Sequence, residues 1–121
     1  MRIHLKELIV PPSVNRLWAI SQGRRVRSTA YKDWLHMVGF DIKAQVRRPV
    51  SESTMPEKTP LYVFISMNIN RKSDLDNRIK ACLDALQHAR IIPDDRWVDE
   101  LHVKRDKRLA VDTMTITVQD Y

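Results

Sequence analysis

The clearest pattern in the chain is a strict alternation. Leu61, Val63, Ile65, Met67 and Ile69 take turns with Tyr62, Phe64, Ser66 and Asn68, the two-residue period of a β-strand. Tyr62 and Phe64 are also apolar, so both faces near the start of this strand are expected to be covered, as suits a central strand. A second clean alternation sets Met114, Ile116 and Val118 against Thr113, Thr115 and Thr117, giving a strand over about 112–119. Two further strands are expected, over residues 2–9, stopped by Pro11–Pro12, and over about 98–105. Leu17–Ile20 and Val26–Ser28 flank Gln22–Gly23 and predict a short hairpin.

Between these runs the period becomes helical. Tyr31, Trp34, Leu35, Val38, Ile42 and Val46 form one apolar stripe over 28–48, with Ser28 or Thr29 as the cap and Pro49 as the stop. Leu75, Ile79, Cys82, Leu83 and Leu86 form a second, from Asp74 or Leu75 to Arg90. Cys82 on that stripe reads as a small core residue. The segment 49–60, with three prolines, is a loop, and Asp106–Val111, with Lys107 and Arg108, reads as a basic hairpin tip. The order β–(hairpin)–α–β–α–β–β predicts a single α+β domain, residues 1–121, with a mixed sheet and two main helices.

At 121 residues one core is the expectation. The net charge of +6 favours nucleic acid, an anionic surface or acidic partners. The single cysteine excludes an internal disulfide and any multi-cysteine zinc site. No secretory leader or membrane-spanning run is present, so a cytoplasmic, soluble protein is expected, with no membrane partner.

Against this basic background stands Arg71–Lys80, where Asp74 and Asp76 lie two residues apart at the start of the second helix. Asp94–Asp95 follows just past its end. An ordinary structural account exists: Asp74 as N-cap, Asp76 complementing the helix dipole, Asp76 and Lys80 as an i,i+4 pair, and Asp94–Asp95 as turn chemistry. The alternative is a metal site. Both aspartates in regular helix would point roughly 200° apart, so Asp74 must sit at the cap or strand exit to share an ion with Asp76. Asp94 or Asp95 can then complete an all-oxygen set, which suits Mg²⁺ or Mn²⁺ and disfavours zinc. Such an ion activates water against a phosphodiester. Lys80 is available to neutralise a phosphate oxygen, and Arg71, Lys72 and Arg78 to hold neighbouring phosphates. Arg24, Arg25 and Arg27 around the hairpin read either as solvated surface or as phosphate contacts. With Arg16 they complete the candidate DNA-binding set. No Walker loop, HExxH motif or nucleophile elbow competes, and no small-molecule cofactor is expected.

Pro11-Pro12-Ser13-Val14-Asn15-Arg16, Gly23-Arg24, Asp74-Leu75-Asp76-Asn77 with Lys80, and Ile92-Pro93-Asp94-Asp95 occur in this order across nearly the whole chain. In this the sequence resembles the RusA family of Holliday-junction resolvases. The resemblance implies a Mg²⁺-dependent endonuclease that acts as a homodimer on four-way junction DNA, making paired nicks in recombination and repair, and often encoded by a prophage. It implies Asp74, Asp76 and Asp95 as metal-binding and catalytic carboxylates, with Asp94 beside them, and Lys80 as the catalytic lysine. Family members commonly carry a glycine near the end of the second helix. This chain has His88-Ala89-Arg90-Ile91-Ile92 there, so the helix must end by another route. Two rival readings are a metal nuclease for other branched or duplex DNA and a non-catalytic basic DNA-binding module.

Overall fold

The alternating run Leu61–Met67 becomes β4, an inner strand of a four-stranded mixed sheet in this computed structural model. The structure describes residues 1–13, 18–46 and 54–120. The elements run β1 (Arg2–Ile9), β2 (Trp18–Ser21), β3 (Arg24–Arg27), α1 (Thr29–Val46), β4, α2 (Ile79–His88), β5 (Val98–Arg105) and β6 (Thr113–Asp120). This is the expected α+β order. Arg16, Leu17 and the Pro49 stop lie outside the described residues.

The sheet order is β1-β6-β4-β5, with β2 and β3 forming a separate two-stranded hairpin. β6 runs antiparallel to β1 and β4, whereas β5 lies parallel to β4. The sheet's inner face is a ladder of apolar pairs: Val63 opposite Val118, Ile65 opposite Ile116, Met67 opposite Met114, all buried. On β1 the register shifts between Leu5, opposite Ile116, and Leu8, opposite Met114. Two residues of β1, Lys6 and Glu7, thus stand against the single Thr115 of β6, a β-bulge, and Glu7 within it adopts φ +56°. The bulge turns both Leu5 and Leu8 inward, which their odd spacing in a regular strand forbids.

Both helices cover this inner face. Tyr31, Trp34, Leu35, Val38 and Ile42 of α1 are buried as their stripe predicts, and Ser28 caps the helix by accepting from the Tyr31 N–H at 3.1 Å. Of the stripe expected on α2, Cys82 and Leu86 are buried, whereas Leu75, Ile79 and Leu83 are only half-buried; the small Ala81 and Ala85 take the remaining inward positions, where the helix packs closely. Gly39 lets the helices approach: a Cβ there would lie 3.3 Å from the His88 ring.

Three expectations are corrected. First, β5 and β6 are not hairpin partners, because they flank β4 on opposite sides. The 106–112 connection instead crosses the end of β4, with the Asp106 N–H donating to Met67 O and the Asp112 N–H to Asn68 O at 3.0 and 2.9 Å. Second, the described residues cover the outer face of β4 only in part, Tyr62 being half-buried. On the outer face Phe64 is 38 % exposed and stacks on His102, ring centroids 5.0 Å apart. Third, the second helix does not start at Asp74 or Leu75: a 3-10 turn over Asp76–Arg78 precedes α2, and no side chain caps either start.

The end of α2 shows the alternative to glycine. Arg90 itself takes the left-handed conformation, φ +60°. The Ile91 N–H donates to Leu86 O at 2.8 Å and the Arg90 N–H to Gln87 O at 3.0 Å, the two bonds of a Schellman motif. Buried Leu86 and Ile91 supply its apolar contact. The chain therefore turns back firmly, and Pro93–Asp95 follows at once. Among the described residues no helix is long and apolar enough to cross a membrane.

Candidate active site

The acidic stretch begins where β4 leaves the sheet, and Arg105 at the end of the parallel neighbour β5 holds it. The Arg105 guanidinium donates to Asn70 O at 3.1 Å, to Ile69 O at 3.4 Å and to Ser73 O at 2.5 Å. Three carbonyls of one loop are thus gathered by one planar fork. Asn70 tightens the loop by accepting from the Lys72 N–H through its side chain at 2.9 Å, an Asx-turn. From the other side Arg78 reaches in, donating to Pro11 O and, at 3.2 Å, to Ser73 Oγ. Its Nε is buried without a hydrogen-bond partner among the described residues. Arg78, expected to hold phosphate, thus spends two of its nitrogens on the protein and ties the exit of β1 to the acidic loop.

Asp74 ends this braced loop and Asp76 opens the 3-10 turn. Both are exposed, and neither carboxylate makes a hydrogen bond or ion pair among the described residues; Asp76 accepts only through its backbone carbonyl, from the Ile79 N–H. The account of Asp74 as a cap therefore does not describe it. Nor does the i,i+4 pairing of Asp76 with Lys80 form. Lys80 points the other way along α2, with Nζ 3.2 Å from Asp84 Oδ1, and across to the next turn, 3.0 Å from Asp95 Oδ2. The Asp95 hydrogen bond is the chief reason its ammonium pKa is raised; burial opposes it, and the Asp84 hydrogen bond and the charges of both carboxylates add to the rise.

The turn after α2 separates the two adjacent aspartates. Asp94 caps the 3-10 turn Asp95–Trp97, accepting from the Arg96 N–H at 3.0 Å and pairing with its guanidinium at 3.1 Å. Those bonds hold its carboxyl below the usual range. Asp95 donates its own N–H to Gln87 Oε1 at 3.2 Å and turns its carboxylate to Lys80. Of the pair, Asp95 faces α2 and Asp94 serves the turn.

The residues fit a hard divalent cation in kind: exposed carboxylates at Asp74 and Asp76 lack partners, and Asp95 already holds a cationic group. The cluster is not closed, however. Among the described residues no three His, Cys, Asp or Glu side chains stand together in a way that could hold a metal ion. What the fold does bring together is Lys80 with Asp84 and Asp95.

The remaining basic candidates are placed as follows. Arg71 and Lys72 are exposed on the braced loop, and Arg24, Arg25 and Arg27 are exposed on β3. Gln22 and Gly23 take φ +52° and +74°, the tight turn that presents these arginines. Arg27 lies 5.5 Å over the Tyr31 ring. Four participants escaped sequence reasoning: Tyr31, Asp84, Gln87 and Arg105. Asp84 carried a signal, standing four residues after Lys80 on the helix. Arg105 and Tyr31 act across 32 and 53 residues, and no local spacing marks them.

Comparison with known proteins places the chain among enzymes that cut DNA. It belongs to the endodeoxyribonuclease RusA family, whose model matches residues 9–119. It is 27% identical over 111 residues to the crossover junction endodeoxyribonuclease rusA of Enterobacteria phage HK97, covering 91% of this chain and 88% of that protein.

Proposed function

We propose that this chain is one resolvase domain, residues 1–121, which hydrolyses phosphodiesters at four-way DNA junctions in recombination and repair. The observation that carries the site is the Lys80–Asp95 contact at 3.0 Å, which joins the start of α2 to the turn beyond its end. It makes one acidic locus of two segments fifteen residues apart. The phage relative, named as a crossover junction endodeoxyribonuclease, supports the choice of substrate.

Asp74, Asp76 and Asp95, with Asp94 alongside, would hold Mg²⁺, or Mn²⁺ in its place. That ion supplies charge stabilisation at the phosphate and a more acidic attacking water. Lys80 donates a hydrogen bond to the phosphate oxygen where negative charge accumulates as water adds and the phosphorus–oxygen ester bond breaks. Arg71 and Lys72 beside the acids, Arg24, Arg25 and Arg27 on the hairpin strand, and Arg16 neutralise flanking phosphates and set the DNA in register. Arg78 and Arg105 act behind them, fixing the loop that carries Asp74. A homodimer gives one site for each of two opposed strands of the junction, and hence paired nicks. A cytoplasmic, prophage-derived enzyme fits the free, buried thiol of Cys82 and the phage relative.

The test is cleavage of a synthetic four-way junction beside linear duplex of the same sequence, with and without Mg²⁺. Junction nicking that needs Mg²⁺, and that Asp76→Asn abolishes while junction binding survives, is the expected result. Wild-type cleavage by Asp76→Asn refutes the site; equal cutting of linear duplex refutes the substrate.

A further inference from the structure

Asp84 lies outside every acidic pair assigned to the metal, yet it is among the least exposed carboxylates near the site. Its side chain is 15 % exposed, against 65 % for Lys80. Its two oxygens have separate partners: Oδ1 meets the Lys80 ammonium at 3.2 Å, and Oδ2 accepts from the Tyr31 hydroxyl. Tyr31 is buried on α1, so the carboxylate is fixed from the neighbouring helix rather than from its own. The Arg27 guanidinium over the ring face adds a further restraint on the same phenol.

Lys80 thus has two carboxylate partners of different character. Asp95 sits on a turn and is itself a proposed ligand; Asp84 is braced. If Asp95 held a divalent cation, its carboxylate would no longer be free to hold the Lys80 ammonium, which like charge would repel from that oxygen. A lysine left with no other partner would spread over its rotamers and leave the site. We propose that Asp84, fixed by Tyr31, is a positioning residue that keeps the Lys80 ammonium beside the acidic site after Asp95 has turned to the cation. This rests on the role of Lys80 given under Proposed function. Asp84 acts through Lys80 alone and touches neither DNA nor metal.

The experiment compares Asp84→Asn, Lys80→Ala and the double variant as the full chain, measuring kcat and KM for junction cleavage in Mg²⁺, junction binding and thermal stability. Asn fills the same space and still accepts from Tyr31, but its neutral amide no longer attracts the ammonium. The expected result is a kcat lowered about tenfold in Asp84→Asn, with KM and junction binding within about twofold of wild type. The double variant is expected to cut no more slowly than Lys80→Ala, since residues that act as a unit are non-additive. A wild-type kcat in Asp84→Asn beside an impaired Lys80→Ala overturns the proposal. So does a double variant slower than Lys80→Ala by the full Asp84→Asn factor, which makes Asp84 a brace between helices and nothing more. If Lys80→Ala itself cuts at the wild-type rate, the catalytic lysine falls and this inference with it. Should Asp84→Asn fail to fold, Tyr31→Phe removes a single hydroxyl. It is expected to lower kcat about threefold in the wild-type background and not at all in Lys80→Ala, and a wild-type kcat for Tyr31→Phe alone then overturns the proposal.

Discussion

Lys80 Nζ lies 3.0 Å from Asp95 Oδ2, so the ammonium of α2 holds the oxygen that a metal ion would claim. A lysine paired in this way balances a carboxylate while no divalent cation is present. Exposed pairs of this kind contribute at most about 1 kcal/mol, so a Mg²⁺ ion bound as proposed would displace the lysine. Wild-type protein is therefore expected to gain thermal stability on adding Mg²⁺. At roughly ten times Kd the gain is about 1.4 kcal/mol, a shift of several degrees in Tm. Asp74→Asn and Asp95→Asn should lose most of it. Lys80→Ala should keep it or bind Mg²⁺ more tightly, while cutting slowly. Melting curves across a Mg²⁺ titration decide this, and equal shifts in all variants would remove the metal from these residues.

Arg105 makes a separate prediction, because three carbonyls of the acidic loop depend on one side chain. Arg105→Ala is expected to cost about 1–3 kcal/mol of stability, the range for bonds to a charged donor. It should also lower cleavage through a misplaced Asp74. Arg105→Lys should not restore either property, since an ammonium cannot present the same planar fork. Urea denaturation alongside a cleavage assay measures both.

Arg90 occupies a left-handed position that glycine takes without strain. Arg90→Gly is expected to raise stability by up to about 1 kcal/mol, the relief of a left-handed L-residue less the added freedom of the unfolded chain. Arg90→Val should lower it, because a β-branched residue resists that conformation. The midpoint of chemical denaturation checks the order Gly, Arg, Val.

Cys82 ties stability to alkaline pH. Complete burial pushes its thiol up to about 12, with the Arg78 charge acting weakly in the opposite direction. Below about pH 8 both folded and unfolded chains keep this proton, and the thiol adds no pH dependence. Between about 8 and 12 the unfolded chain releases it first, so the unfolded state binds fewer protons and stability falls as pH rises. The Tyr31 phenol, held up by burial and by Asp84, has the same sign. Denaturation at pH 8 and pH 10.5 should show the loss, and Cys82→Ala should make the slope shallower without removing it. Native protein at pH 7.5 should resist thiol alkylation until denaturant is added.

The hydrophobic pattern by itself determined the elements and their faces, since a two-residue or 3.6-residue period is a property of the local backbone. The stripe of α1, the Cys82 and Leu86 positions of α2, the inward residues of β4 and β6, and the turn at Gln22–Gly23 were legible for that reason. So were the acidic candidates, because residue type and order mark them. Tertiary structure alone decided how they combine. Local spacing paired Lys80 with Asp76, yet in the fold it pairs with Asp84 and with Asp95, whose position depends on the Schellman turn at Arg90. The parallel placement of β5 beside β4 brings Arg105 to the acidic loop, and no periodicity encodes which strands become neighbours. The β1 bulge likewise follows from closing the core around Leu5 and Leu8 rather than from either residue's neighbours in sequence. Periodicity speaks within a segment; the hydrogen bonds and charges that build this site act between segments, where only packing sets the distance.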